Sequence, residues 1–86
     1  MENGIVEKAL LIASRGDGPW CPVEGLREIQ VEGIEDGDAI RLISGDSTLL
    51  EVKDNGVHSV NLEGGKVMLQ RIAGESRVTV RAFCDR

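Results

Sequence analysis

The residues able to do chemistry are few. His58 is the only histidine, Cys21 and Cys84 are the only cysteines, and 15 Asp and Glu stand against 10 Lys and Arg. His58 adjoins Ser59, but neighbouring residues on a strand point to opposite faces, so this spacing makes no hydrogen-bonded nucleophile–base pair. No Gly-x-Ser-x-Gly elbow is present. Cys21 and Cys84 are too far apart for a Cys-x-x-Cys pair, and one histidine cannot complete a standard four-ligand zinc site. Glu35-Asp36-Gly37-Asp38 gathers the oxygen ligands that Ca²⁺ prefers, but lacks the twelve-residue loop with a terminal bidentate Glu. A solvated turn between Val31 and Ile40 is the better reading. Carboxylate pairs of the glycosidase kind are inevitable among so many acids and carry no information. Gly64-Gly65-Lys66 does not match a phosphate-binding loop. No catalytic residue, cofactor site or metal site is read, and an enzyme is not expected.

Three other features bear on binding. Arg15-Gly16-Asp17 spells an integrin-binding tripeptide, but Gly16-Asp17-Gly18-Pro19 is good turn chemistry by itself. Trp20 is framed by Pro19 and Pro22, which fix φ and hold the stretch extended. A lone tryptophan so placed plugs a core or its rim, or offers a stacking platform to a ligand such as a sugar. Phe83 falls on the wet parity of the last strand, where it either contacts a partner or packs under a loop. A Cys21–Cys84 disulfide would add on the order of 4 kcal/mol in the loop-entropy model. With no signal-peptide layout in the first residues, two reduced thiols acting as small hydrophobes are expected instead.

Short strands hold these residues in place. Gly, Asn and Asp recur in turn-like clusters at Gly16–Pro19, Glu35–Asp38, Ser44–Asp46, Asp54–Gly56, Glu63–Gly65 and Ala73–Glu75, with Val-, Ile- and Leu-rich stretches between them. In Arg77–Cys84, residues Val78, Val80, Ala82 and Cys84 share one face and Arg77, Thr79 and Arg81 the other, which predicts one buried and one wet face. Asn55-Gly56 predicts a hairpin joining 49–53 to 57–62. Val67–Ile72 is apolar on both faces, as for a central or doubly covered strand. Ile5–Ala13 fits a helical stripe or a strand with 6, 10 and 12 on one face; the β context favours the strand. The reading is therefore an all-β chain, a small β-sandwich (Ig-like or jelly-roll-like) of about seven to eight antiparallel strands. It is one domain over residues 1–86, with residues 1–8 as an extended N-terminal arm.

Size and charge narrow the partners. A net charge of −5 argues against nucleic acid and against a polybasic membrane-surface module. No apolar run reaches the roughly 20 residues that span a bilayer. With Trp20 and Phe83 the only aromatics, the core must be aliphatic, and such a small domain gains from an oligomer interface or from docking on something larger.

Gly18, Trp20, Val23 and Gly25, then Ile29, Val31 and Gly33, then Gly37, follow the pattern Gly-x-Trp-x-x-Val-x-Gly, Ile-x-Val-x-Gly and a Gly-Asp turn. In this the chain resembles small β-sandwich structural proteins of tailed bacteriophages, such as capsid decoration proteins and head fibres. The closing Val78-Thr79-Val80-Arg81-Ala82 resembles the C-terminal edge of that family. Many members of that family continue with a Ser-Asn-Asp-Gly type turn after the second strand, where this chain has Ser44-Gly45-Asp46-Ser47. The resemblance implies a non-enzymatic virion protein, assembled in the host cytoplasm and bound to the capsid exterior as a decoration or cementing subunit. It implies the major capsid protein or another virion protein as partner, and a homo-oligomer. The expected contact residues are Trp20, Phe83 and, in the arm, Val6. The rival reading is a carbohydrate- or receptor-binding β-sandwich module, including a tail or fibre component.

Overall fold

A computed structural model describes residues 4–86. It contains six strands: β1 (Ile5–Ala13), β2 (Cys21–Glu32), β3 (Ala39–Ser44), β4 (Ser47–Val52), β5 (Gly56–Ala73) and β6 (Val78–Asp85). All pairings are antiparallel, in the order β1-β6-β2-β5-β3-β4. The all-β reading holds. The strand count is six rather than seven to eight, because β5 runs unbroken through Glu63-Gly64-Gly65, a cluster that reads as a turn in sequence.

β5 changes partner along its length. Gly56–Val67 pairs with β2, and Met68–Ala73 pairs with β3. Near the glycines both strands also change which parity is buried. Val23 and Leu26 are both inside although one has odd and the other even parity, and β5 changes from even inner positions up to Leu62 to odd ones from Val67. The paired strands therefore coil sharply together at this point, which glycines inside a strand permit. The sheet turns a corner there. One core cluster accordingly draws on both ends of the strand order, Leu11 and Ala13 from β1 and Val52 from β4.

The core is aliphatic, as the composition requires. Leu26, Ile29, Ile40, Leu42, Leu69, Val78 and Val80 are essentially fully buried. Each such side chain stabilises the fold by roughly 1.5–3 kcal/mol relative to exposure. In β6 the alternation is realised as read: Val78, Val80, Ala82 and Cys84 are buried and the residues between them are half-exposed.

Three local expectations are corrected. The hairpin predicted at Asn55-Gly56 does not form, since β3 lies between β4 and β5. The Asn55 side chain is engaged elsewhere, accepting from Ile34 N at 2.8 Å and donating to Ile34 O at 3.1 Å. The tight hairpin is instead β3–β4, where Ser44 faces Ser47 and Gly45 takes φ +60 while Asp46 does not take a positive φ, the primed-turn pattern that matches strand twist. The arm expected over residues 1–8 is strand from Ile5 onward, paired to β6 as far as Asp85; residues 1–3 lie outside the described residues. β1 also carries a bulge between Glu7 and Ala9. Its inner residues are therefore Val6, Ala9, Leu11 and Ala13, not 6, 10 and 12. Val67–Ile72 is central, as read, but only one face is covered: Val67 and Leu69 are buried and Ile72 is exposed.

Candidate binding surface

The β1–β2 loop delivers Trp20 to the surface and is tied down before it gets there. Gly18 N donates to Leu69 O at 2.8 Å, and Arg71 N donates to Asp17 Oδ1 at 2.9 Å. A Cβ on residue 18 would meet Ile12 O at 2.7 Å, so only glycine lets the loop lie this close to β1. Pro19 then keeps the chain extended into Cys21, which pairs with Val67. Asp17 thus uses one carboxylate oxygen to anchor the loop.

So held, Trp20 is 46% exposed and belongs to no part of the core. It lines a groove of about 510 Å³ with Ser44, Gly45, Gly65 and Lys66. The opposing walls come from the β3–β4 turn and the β5 corner. Gly45 has open space where a Cβ would be, and Gly65 has only Ser44 Oγ nearby. No bulky side chain closes the groove over the indole. It offers a flat aromatic surface, one hydroxyl, one ammonium and bare peptide, which is a stacking platform with polar groups for orientation.

Beneath the loop lies the polar knot that fixes it. The side chains of Arg71 and Asp38 are 7% and 3% exposed, with Arg71 Nη1 at 3.4 Å from Asp38 Oδ1. Arg71 also donates to the carbonyls of Ala13 and Ala73, each at 3.3 Å, and to those of Ser14 and Ser76. Asp38 Oδ2 accepts from Glu35 N at 2.8 Å and Oδ1 from Ser76 N at 3.4 Å. The Glu35 N–H, then the Ser76 hydrogen bonding, hold the Asp38 carboxyl below its usual range; burial opposes this and the Arg71 charge adds to it. One guanidinium therefore joins the end of β1, the end of β5 and the approach to β6.

The Glu35–Asp38 turn does border a cleft of about 650 Å³, with Lys53, Asp54 and Ile72 on its other walls. Asp38 is committed to Arg71, and among the described residues no three His, Cys, Asp or Glu side chains converge. Glu35, Asp36 and Gly37 are exposed, as a solvated turn would have them, but Asp38 is buried. His58 Nε2 lies 3.1 Å from Asp54 O and engages the local backbone. Both cysteines are free. Cys84 is buried, and burial pushes its thiol up; Cys21 is half-buried.

The three expected contact residues do not form one surface. Val6 is half-buried opposite Cys84 on the inner face of β1. Phe83 is half-buried on the outer face, opposite Glu7 of β1 and Glu28 of β2. Neither lines the Trp20 groove. The glycine walls of that groove come from turns distant in sequence, and nothing in the local pattern brings them together. Comparison with protein-family models, with curated proteins and with solved structures finds no match for this chain.

Proposed function

We propose that this chain is a non-catalytic binding subunit that docks on a larger assembly through the Trp20 groove. The observation that carries the reading is the half-exposed indole on a loop tethered at Asp17 and Gly18, in a groove walled by glycine. A protein of this size that leaves its only tryptophan outside an aliphatic core forgoes the largest single burial it could make. Tryptophans presented in this way are over-represented among residues that dominate interfaces. The phage-like pattern around Trp20 supplies the assembly: the exterior of a tailed-phage capsid, with this chain as a decoration or cementing subunit. The corner in β2 and β5 is compatible with a β-sandwich whose two layers share these strands, as in orthogonal packings, and that is the arrangement we propose. An acidic chain suits an outer surface away from packaged nucleic acid.

Quantitative mass spectrometry of particles purified from the source tests the assembly. A copy number equal to that of the major capsid protein, or a simple fraction of it, is expected. Absence from particles whose other proteins are well detected would contradict it.

A second reading is favoured by the groove's polar groups. An open indole face beside Ser44 and Lys66 also fits the C–H face of a sugar ring, so a carbohydrate-binding module is the rival. Glycan-array binding that is lost in Trp20→Ala would select it.

A further inference from the structure

The free edge of β1 is written as its own complement. β1 ends the strand order, and among the described residues no strand pairs with its far side. It is nine residues long, has no proline, and leaves Leu10 50% and Ile5 36% exposed. An edge of this kind presents unpaired backbone groups to any strand that fits it.

We propose that a second copy of this chain fits it, β1 against β1 antiparallel about a two-fold axis, with Glu7 opposite Lys8 of the other copy. Ile5-Val6-Glu7-Lys8-Ala9-Leu10 is chemically palindromic: two apolar residues, an acid, a base, two apolar residues. In this register Ile5 faces Leu10, Val6 faces Ala9 and Glu7 faces Lys8, each pair occurring twice, as an isologous contact requires. Cross-strand apolar and opposite-charge pairs are the units that stabilise a sheet.

The bulge is what makes this register possible. Directly opposed residues must share a face, and a register joining odd to even positions breaks that rule in a regular strand. The extra residue between Glu7 and Ala9 shifts the parity. The outer residues become Ile5, Glu7, Leu10 and Ile12, with Leu10 opposite Arg81 and Glu7 opposite Phe83 on β6; the inner ones are Val6, Ala9, Leu11 and Ala13. Ile5 and Leu10 are then both outer, and Val6 and Ala9 both inner. Sliding the copies by two residues also keeps the faces, but sets the Glu7 carboxylate against Leu10 and leaves Lys8 without a charge partner. Glu7 Oε2 already lies 3.5 Å from Arg81 Nη1 of its own chain, an exposed pair, so it is the charge on Lys8, otherwise unmatched among the described residues, that selects the first register. It would cover the two apolar residues that β1 now exposes and join two six-stranded sheets into one. The surface is separate from the Trp20 groove, so the two proposals stand or fall independently.

Sedimentation equilibrium of the full chain tests it, with circular dichroism as the check that each variant folds. The wild type should dimerise reversibly. Lys8→Glu sets two carboxylates together at each of the two charge pairs, and Glu7→Lys sets two ammonium groups together at each. Either reversal should weaken self-association by about tenfold or more. Mixing the two variants restores opposite charges at both positions, so the mixture should associate at least as tightly as the wild type. A wild type that stays monomeric at its highest soluble concentration would overturn the proposal. So would a dimer indifferent to both reversals, or a mixture that associates no better than its parts.

Discussion

Arg71→Met should cost more stability than any substitution at an exposed ion pair. The guanidinium donates to four backbone carbonyls and to Asp38 from a site that is 7% exposed. Hydrogen bonds to a charged group contribute about 1.5–3 kcal/mol each, so counting only two of the four carbonyls gives about 3 kcal/mol. For a domain of this size that lowers Tm by roughly 15 °C. Arg27, by contrast, pairs with Asp85 at 2.9 Å where both side chains are partly exposed, and exposed pairs contribute about 0–1 kcal/mol. Thermal unfolding of Arg71→Met and Arg27→Met side by side checks the ranking, and a smaller loss in Arg71→Met would refute it.

The same knot sets the response to acid. The folded Asp38 carboxyl titrates below its ordinary range, so the unfolded chain takes up this proton at a higher pH than the folded one. Its contribution is therefore fully present above the usual aspartate value, about pH 4, and is lost as pH falls through the lower folded value. Asp38→Asn should flatten this acid limb of the stability profile while leaving the neutral limb parallel to that of the wild type.

The second large effect is on binding. Trp20→Ala should reduce affinity for the partner particle by at least about thirtyfold, the loss that defines a dominant interface residue. It should leave Tm nearly unchanged, because the indole contributes nothing to the core cluster. Co-sedimentation with particles lacking this chain, run for wild type and variant, reads the first half; thermal unfolding reads the second. Equal co-sedimentation would contradict the assignment, and a collapse of Tm would mean that Trp20 is structural.

How far the sequence carries the fold depends on the range of each signal. Period-2 alternation is local, and Arg77–Cys84 yields a strand with the predicted face inside. Ile5–Ala13 is a strand with those bounds. Turn chemistry is legible where the turn is self-contained, as at Ser44–Asp46. It fails where a distant partner takes over. Asn55 uses its amide on Ile34, and Gly64-Gly65 lies within a strand whose neighbours change from β2 to β3. The bulge at Lys8 is invisible to parity counting and moves the inner face of β1 by one residue. The Arg71–Asp38 pair spans 33 residues and becomes apparent only once β3 lies beside β5. Trp20 is legible as a candidate. Its groove is not, because the walls come from Gly45 and Gly65, which carry no side chain to mark them.

Burial of Trp20 on docking can be read from the residue itself. Trp20 is the only tryptophan in the chain. Replacing it biosynthetically with 7-azatryptophan allows excitation to the red of the partner's own tryptophans. Acrylamide quenching of this probe should be strong in the free chain and should fall sharply when the chain is bound to purified capsids. A bound chain whose probe is quenched as strongly as the free one would place the contact elsewhere and contradict the account.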